Sequence, residues 1–140
     1  MILWCLEHFG YGGVSPHRTD FFMAQYEHLP IYREAMRLAV HLENVVRGFA
    51  RYHKYTLGSE MRSGAHEIVA LIIKANSAAD RMPVLLELRD AVERVKITAR
   101  ICQEVKGFKT FAAFTTTVEG LVLIARRNEG WLKNTRGHHA

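Results

Sequence analysis

The stretch Pro30-Ile31-Tyr32-Arg33-Glu34-Ala35-Met36-Arg37-Leu38-Ala39-Val40-His41-Leu42-Glu43-Asn44-Val45-Val46-Arg47-Gly48-Phe49 reads as one amphipathic helix. Its apolar positions Ile31, Ala35, Leu38, Leu42, Val45 and Phe49 recur at alternating steps of four and three residues. That spacing keeps a single face turned towards a partner. Pro30 suits the first helical turn, where its missing N–H has no intrahelical partner to lose. The pattern predicts a helix from Pro30 to about Arg51.

The same period returns three times downstream. A second helix is predicted from about Leu57 to Ala79, with Leu57, Met61, Ala65, Ile68, Ile72, Ala75 and Ala79 on its stripe and Thr56 at its N-cap. A third starts at Pro83, carries Leu85, Leu88, Val92, Val95, Ala99 and Cys102, and ends near Gly107 as a C-terminal cap. A fourth follows Thr110, with Phe111, Phe114, Val118, Leu121, Ala125, Asn128 and Leu132 inward. The run Thr115-Thr116-Thr117 lowers helix propensity there. Short connections make neighbouring helices antiparallel, so the expected fold is all-α, an up-down-up-down four-helix bundle. No segment alternates as a strand flanked by hairpin turns.

The bundle takes residues 29–136. Before it, residues 1–28 hold Gly10, Gly12, Gly13 and Pro16 without any sustained period and read as a loop-rich leader. Residues 137–140 read as a polar tail. Met23 stands just ahead of the regular pattern, and the expectation is that it is the natural start.

A chain of 140 residues is bounded to one domain. Hydrophobic residues make up 49% of it, which suits a packed core and excludes a disordered chain. No apolar run approaches the length that spans a bilayer. Met1 to Leu6 is apolar but short, lacks a basic leader and runs into Glu7 and His8, so it is not read as a signal peptide. The expected compartment is the cytoplasm. Cys5 and Cys102 fall in the leader and in a helical stripe, so no disulfide is expected between them.

Catalytic and metal patterns are missing. A di-metal bundle needs a Glu-x-x-His on each of two helices, and no glutamate here has a histidine three residues later. His41, His53 and His66 do not stand four apart, so they read as surface or boundary residues. Gly10-Tyr11-Gly12-Gly13 lacks the Lys-Ser/Thr that completes a phosphate loop, and no serine sits in a Gly-x-Ser-x-Gly elbow. Cys102 lies on an apolar stripe and reads as core. No enzymatic activity, cofactor or metal is expected.

The charge pattern is more informative. The chain holds 19 Lys and Arg against 14 Asp and Glu. Arg18 is the only basic residue before Pro30, against Glu7, Asp20 and Glu27, so the excess belongs to the helical body. Such a body attracts polyanions. Arg33 with Arg37, Arg47 with Arg51, and Lys96 with Arg100 stand four apart, an arrangement that costs helix stability unless something answers the charge. Arg89, Lys96 and Arg100 form a stripe on the third helix relieved by Glu93. Arg126, Arg127, Lys133 and Arg136 make the end of the fourth basic. Phosphate matches these stripes, and arginine suits its geometry. Against this, Asp90–Arg94 and Glu43–Arg47 read as ordinary helix pairs. Tyr52 and Tyr55 flank His53 and Lys54. They either stack on bases or cap the bundle end, and capping is the reading adopted at this level. Trp131, beside Leu132, either buries in part or anchors a subunit contact.

Four stretches also carry a family likeness. They are Leu29-Pro30-Ile31-Tyr32, Tyr55-Thr56-Leu57-Gly58-Ser59-Glu60-Met61-Arg62, Leu85-Leu86-Glu87-Leu88-Arg89 through Arg100, and Gly130-Trp131-Leu132-Lys133. In order and spacing they resemble the accessory variability determinant proteins of diversity-generating retroelements and their bundle relatives once grouped with a ribosomal protein S23-like family. The resemblance covers about residues 29–136. It implies a homopentameric barrel of four-helix bundles whose basic surface binds a reverse transcriptase and its template RNA without catalysing anything itself. It adds Arg62 to the candidate contacts, which are then Arg62, Arg89, Lys96, Arg100, Arg126, Arg127 and Lys133, with RNA or DNA as the ligand. Family members often close the fourth helix with a Gly-x-x-x-Gly-Gly-Trp-type end. Here it reads Ala125-Arg126-Arg127-Asn128-Glu129-Gly130-Trp131, with Glu129 in place of a small residue. The competing expectation is an oligomeric protein-interaction scaffold with no nucleic-acid role.

Overall fold

Proline stands in the first turn of two of the four long helices, Pro30 and Pro83. The computed structural model describes residues 25–139. Within them run α1 (Pro30–Arg47), α2 (Leu57–Ser77), α3 (Met82–Glu104) and α4 (Phe111–His139). A short 3-10 turn, Gln25–His28, precedes α1, and a single helical turn, Arg51–Lys54, stands between α1 and α2. No strand occurs among the described residues. The rest of the leader, with Met23 and Cys5, lies outside them.

The helices close into a ring around one core. α1 packs on α2 and α4, and α3 packs on the same two. The centre is filled by Leu42, Met61, Ile68, Ile72, Leu85, Leu88, Leu121, Ile124 and Leu132, all fully buried. Each such side chain stabilises the fold by about 1.5–3 kcal/mol relative to exposure. No described helix is long and apolar enough to cross a membrane.

The third stripe matches its expectation at every position, from Leu85 to Cys102. The first shifts by one residue near its end: Val46 is buried and Val45 is half-buried. A straight helix turns 3.6 residues per revolution, so a 3.5-residue pattern drifts off its face over several turns. α1 also stops at Arg47. The N–H groups of Gly48 and Phe49 bond three residues back, to Val45 and Val46, which tightens the last turn and drives Phe49 inward. Arg47 and Arg51 therefore do not share a helix.

In α4 the inward positions are Thr117 and Ile124, where Val118 and Ala125 were expected, and Phe111 is exposed. The threonine run stays helical because its hydroxyls are satisfied locally. Thr115 donates to the Ala112 carbonyl and Thr117 to that of Ala113, at 3.0 and 2.8 Å. With that proton spent, the His41 ring Nε2–H is the donor to Thr117 Oγ1 at 3.0 Å, which fixes His41 at the α1–α4 boundary. Thr110 caps α4 by accepting from the Ala113 N–H at 3.1 Å. Thr56 does not cap α2; its hydroxyl donates to the Tyr52 carbonyl instead. α2 ends at Ser77, leaving Ala79 exposed, and α4 runs through the expected tail to His139.

The end of α3 corrects the expected cap by one residue. Lys106, not Gly107, takes the left-handed conformation, with φ 59°. The Gly107 N–H bonds to the Cys102 carbonyl at 2.8 Å and the Lys106 N–H to that of Gln103, which closes a Schellman turn. Glycine is needed at 107 for room: a Cβ there would stand 2.6 Å from Cys102 Sγ. Burial pushes the Cys102 thiol up to about 11, so it stays protonated within the core.

Candidate nucleic-acid interface

Arg89 leaves α3 on the flank that faces α4. Its Nε donates to Glu129 Oε1 at 2.6 Å and its Nη2 to Oε2 at 2.8 Å. This two-point pair holds the Glu129 carboxyl below the usual carboxylate range and raises Arg89. Lys96 and Arg100 follow seven and eleven residues later, so they share that flank. Lys96 is paired with Glu93 at 2.9 Å. On α4, Lys133 stands four after Glu129 and lines the same seam from the other side. Arg126 faces away from it and lines a groove with Pro30 and Ile31 at the start of α1. Arg100 and Lys133 have no ion pair among the described residues. The seam thus assembles Arg89, Lys96, Arg100 and Lys133. The third-helix stripe is relieved by Glu129 as well as by Glu93.

Two further candidates also lie off the seam. Arg127 points across to α1, where its Nε donates to Glu34 Oε1 at 2.8 Å. Arg62 joins α2 to α1 through Glu43 Oε2 at 2.9 Å, and His66 reaches the other oxygen at 3.3 Å. The Arg62 hydrogen bond is the largest cause lowering the Glu43 carboxyl. Glu43 therefore serves α2, not Arg47 on its own helix. Likewise Arg94 pairs with Glu67 of α2 at 3.0 Å, not with Asp90. The Arg62–Glu43 and Arg94–Glu67 pairs are exposed on both sides and contribute little to stability, so their cations can exchange a carboxylate for a phosphate at small cost, whereas Glu34 is 13% exposed and holds Arg127 more firmly.

Sequence reasoning missed a second basic group. The turn after α1 and the loop after α3 meet at one end of the bundle. Phe49 packs edge-on against Phe108, and His53 lies against Gly107. Arg47, Arg51, Lys54, Lys106 and Lys109 are gathered there, none with an ion pair among the described residues. The signal was present as Arg51-Tyr52-His53-Lys54-Tyr55 and Lys106-Gly107-Phe108-Lys109. Only the fold makes them neighbours. Trp131, at the far end, is half-buried with the Arg81 guanidinium 5.7 Å from its ring centre.

No family model matches the chain, and no curated protein matches it.

Proposed function

We propose that this chain is a non-catalytic, nucleic-acid-binding accessory subunit that partners a reverse transcriptase in a diversity-generating retroelement, with its helices running up-down-up-down. The observation that carries the reading is the α3–α4 seam, where Arg100 and Lys133 stand unpaired beside Arg89 and Lys96. A line of cations along one seam matches the regular spacing of phosphates on a backbone. The retroelement context, the cytoplasmic compartment and the polymerase partner rest on the sequence resemblance and leader reading. The antiparallel order is supported by the pairs joining α1 and α4: Glu34 meets Arg127 while the later His41 meets the earlier Thr117.

A homo-oligomer, pentameric by the resemblance, is part of the same proposal. The outer face of α3 exposes Leu86, Ile97, Ile101 and Val105, the last three at four-residue steps. That face also favours the alternative of an interaction scaffold without a nucleic-acid role, since exposed apolar patches mark contact surfaces.

The deciding experiment measures binding of a structured RNA hairpin at low and near-physiological salt. The expected result is affinity that falls steeply with salt. Replacing Lys96, Arg100 and Lys133 together by Ala flattens the slope by roughly 0.7–0.9 per lost phosphate contact. Absence of binding at low salt sinks the nucleic-acid reading and leaves the scaffold.

A further inference from the structure

Tyr52, Tyr55 and Phe111 are 77%, 69% and 67% exposed. They do not cap the bundle end; they project from it. The core beneath is closed without them, by Phe49, Phe108 and Phe114, whose rings touch in sequence at 5.4 and 5.6 Å between centres. Phe111 stands on that stack, 5.9 Å from Phe114. His53 is wedged edge-on beneath Tyr52, and the Lys54 ammonium lies 6.0 Å from the Tyr55 ring centre. Aromatic faces left in water on an ordered support cost solvation, and nothing in the fold requires them.

Next to these rings is a cleft of about 180 Å³ lined by Glu43, Val46, Arg47, Lys54 and Arg62. It is smaller than the 300–1,000 Å³ typical of small-molecule pockets. Its size fits a single phosphate group, which Arg47 and Lys54 can hold, while Arg62 is tied to Glu43 at 2.9 Å. Lys54 belongs to both the cleft and the aromatic platform, so a phosphate held in the cleft puts its attached base beside Tyr55.

We propose that this end of the bundle binds a single-stranded segment of nucleic acid, with one phosphate in the Arg47–Lys54–Arg62 cleft and flanking bases stacked on Tyr52 and Tyr55. Arg51, Lys106 and Lys109 surround the path of the backbone. Open aromatic faces interleaved with cations are how single strands are held without sequence preference. Duplex cannot use them, because its bases are already stacked. An acidic peptide would use the cations but leave the rings idle. The site rests on the nucleic-acid role proposed above and adds to it a second surface, distinct from the α3–α4 seam and selective for unpaired strand.

The test compares an oligouridine, an oligodeoxythymidine and a blunt-ended RNA duplex by fluorescence anisotropy. The protein variants are Tyr52→Ala with Tyr55→Ala, the matching Phe pair, Arg47→Ala with Lys54→Ala, and the seam triple. The expected result is a loss of about tenfold or more in single-strand affinity for the Ala pair, with duplex binding within twofold of wild type. The Phe pair retains binding because the ring face is kept. Equal affinity for both single strands places recognition in phosphate and base; preference for the uridine adds a 2′-hydroxyl contact to the same site. Single-strand binding untouched by the Ala pair but lost in the seam triple overturns this site and leaves the seam proposal standing. No binding of any of the three probes overturns both, and an acidic protein partner becomes the reading of the basic end. Both tyrosines are exposed, so unchanged melting of the Ala pair confirms that the fold is intact.

Discussion

Arg89 and Glu129 are joined by two parallel hydrogen bonds, 2.6 and 2.8 Å long, across the seam between α3 and α4. The carboxylate occupies the guanidinium face that a phosphate would take. Replacing Glu129 by Gln keeps the shape and removes the competing charge. The expected outcome is tighter RNA binding with a salt slope steeper by roughly 0.7–0.9, one further phosphate contact. Anisotropy titrations at several salt concentrations measure it. An unchanged slope means that Arg89 stays tied to the protein when nucleic acid binds.

The same pair sets a response to acid. Glu129 is lowered first by the Arg89 hydrogen bond, and Glu43 first by that of Arg62, both from an ordinary value of 4.5. A depressed carboxylate binds protons more readily in the unfolded chain. Its contribution is therefore fully present above 4.5 and is lost as pH falls through the lowered folded value. The difference in melting temperature between wild type and the double variant Glu43→Gln, Glu129→Gln should be constant from neutral pH to about 4.5. Below that it should shrink towards zero. Both pairs are exposed, so the effect is small. A difference that widens in acid would contradict the assignment.

The α3 stripe was legible because its apolar positions hold a helical period from Leu85 to Cys102, although the buried neighbours Val84 and Ala91 were not read onto it. At the end of α1 two valines stand side by side, and only the accumulated drift of the helix selects Val46 over Val45. In α4 a threonine was inward where a valine was expected, since Thr117 can return its hydroxyl to its own helix. The ion pairs were the least legible part. Asp90–Arg94 and Glu43–Arg47 have good spacing along one helix, yet Arg94 and Glu43 are drawn to α2. Such choices depend on how each helix is rotated against its neighbour, which no local pattern records. The basic end was legible only in its first half, around Tyr52 to Tyr55. Its two halves lie some fifty residues apart and meet through Phe49 and Phe108, with His53 against Gly107.

Asn128 was read onto the inward stripe, and there it is 1% exposed. Its Nδ2 donates to the Leu85 carbonyl at 3.0 Å, while its Oδ1 has no partner. The Leu85 carbonyl also belongs to the α3 ladder, so losing Asn128 leaves no acceptor stranded. Asn128→Leu should therefore be neutral or stabilising, since it removes a buried unsatisfied oxygen of similar volume. Asn128→Asp should destabilise by about 3 kcal/mol or more at neutral pH, because it buries a charge with no opposite partner. Urea denaturation checks both. A large loss for Asn128→Leu would show that the Asn128–Leu85 bond contributes more than the unpaired oxygen costs.

At Gly64 α2 lies directly against Val95 of α3. A Cβ there would overlap Cγ2 of Val95, which is buried in the facing helix. Helix propensity alone favours Gly64→Ala by about 1 kcal/mol. Overpacking opposes it by about 1–3 kcal/mol, because α3 cannot withdraw without opening the core along its length. The clash should win, so Gly64→Ala is expected to destabilise the fold. In a Val95→Ala background the clash is gone, and the same substitution should become neutral or stabilising. A double-mutant cycle by urea denaturation isolates the coupling, which for residues in contact runs at about 0.5–3 kcal/mol. If Gly64→Ala stabilises the wild-type background, the helices lie further apart than this packing requires, and Val95 is not what holds a glycine at position 64.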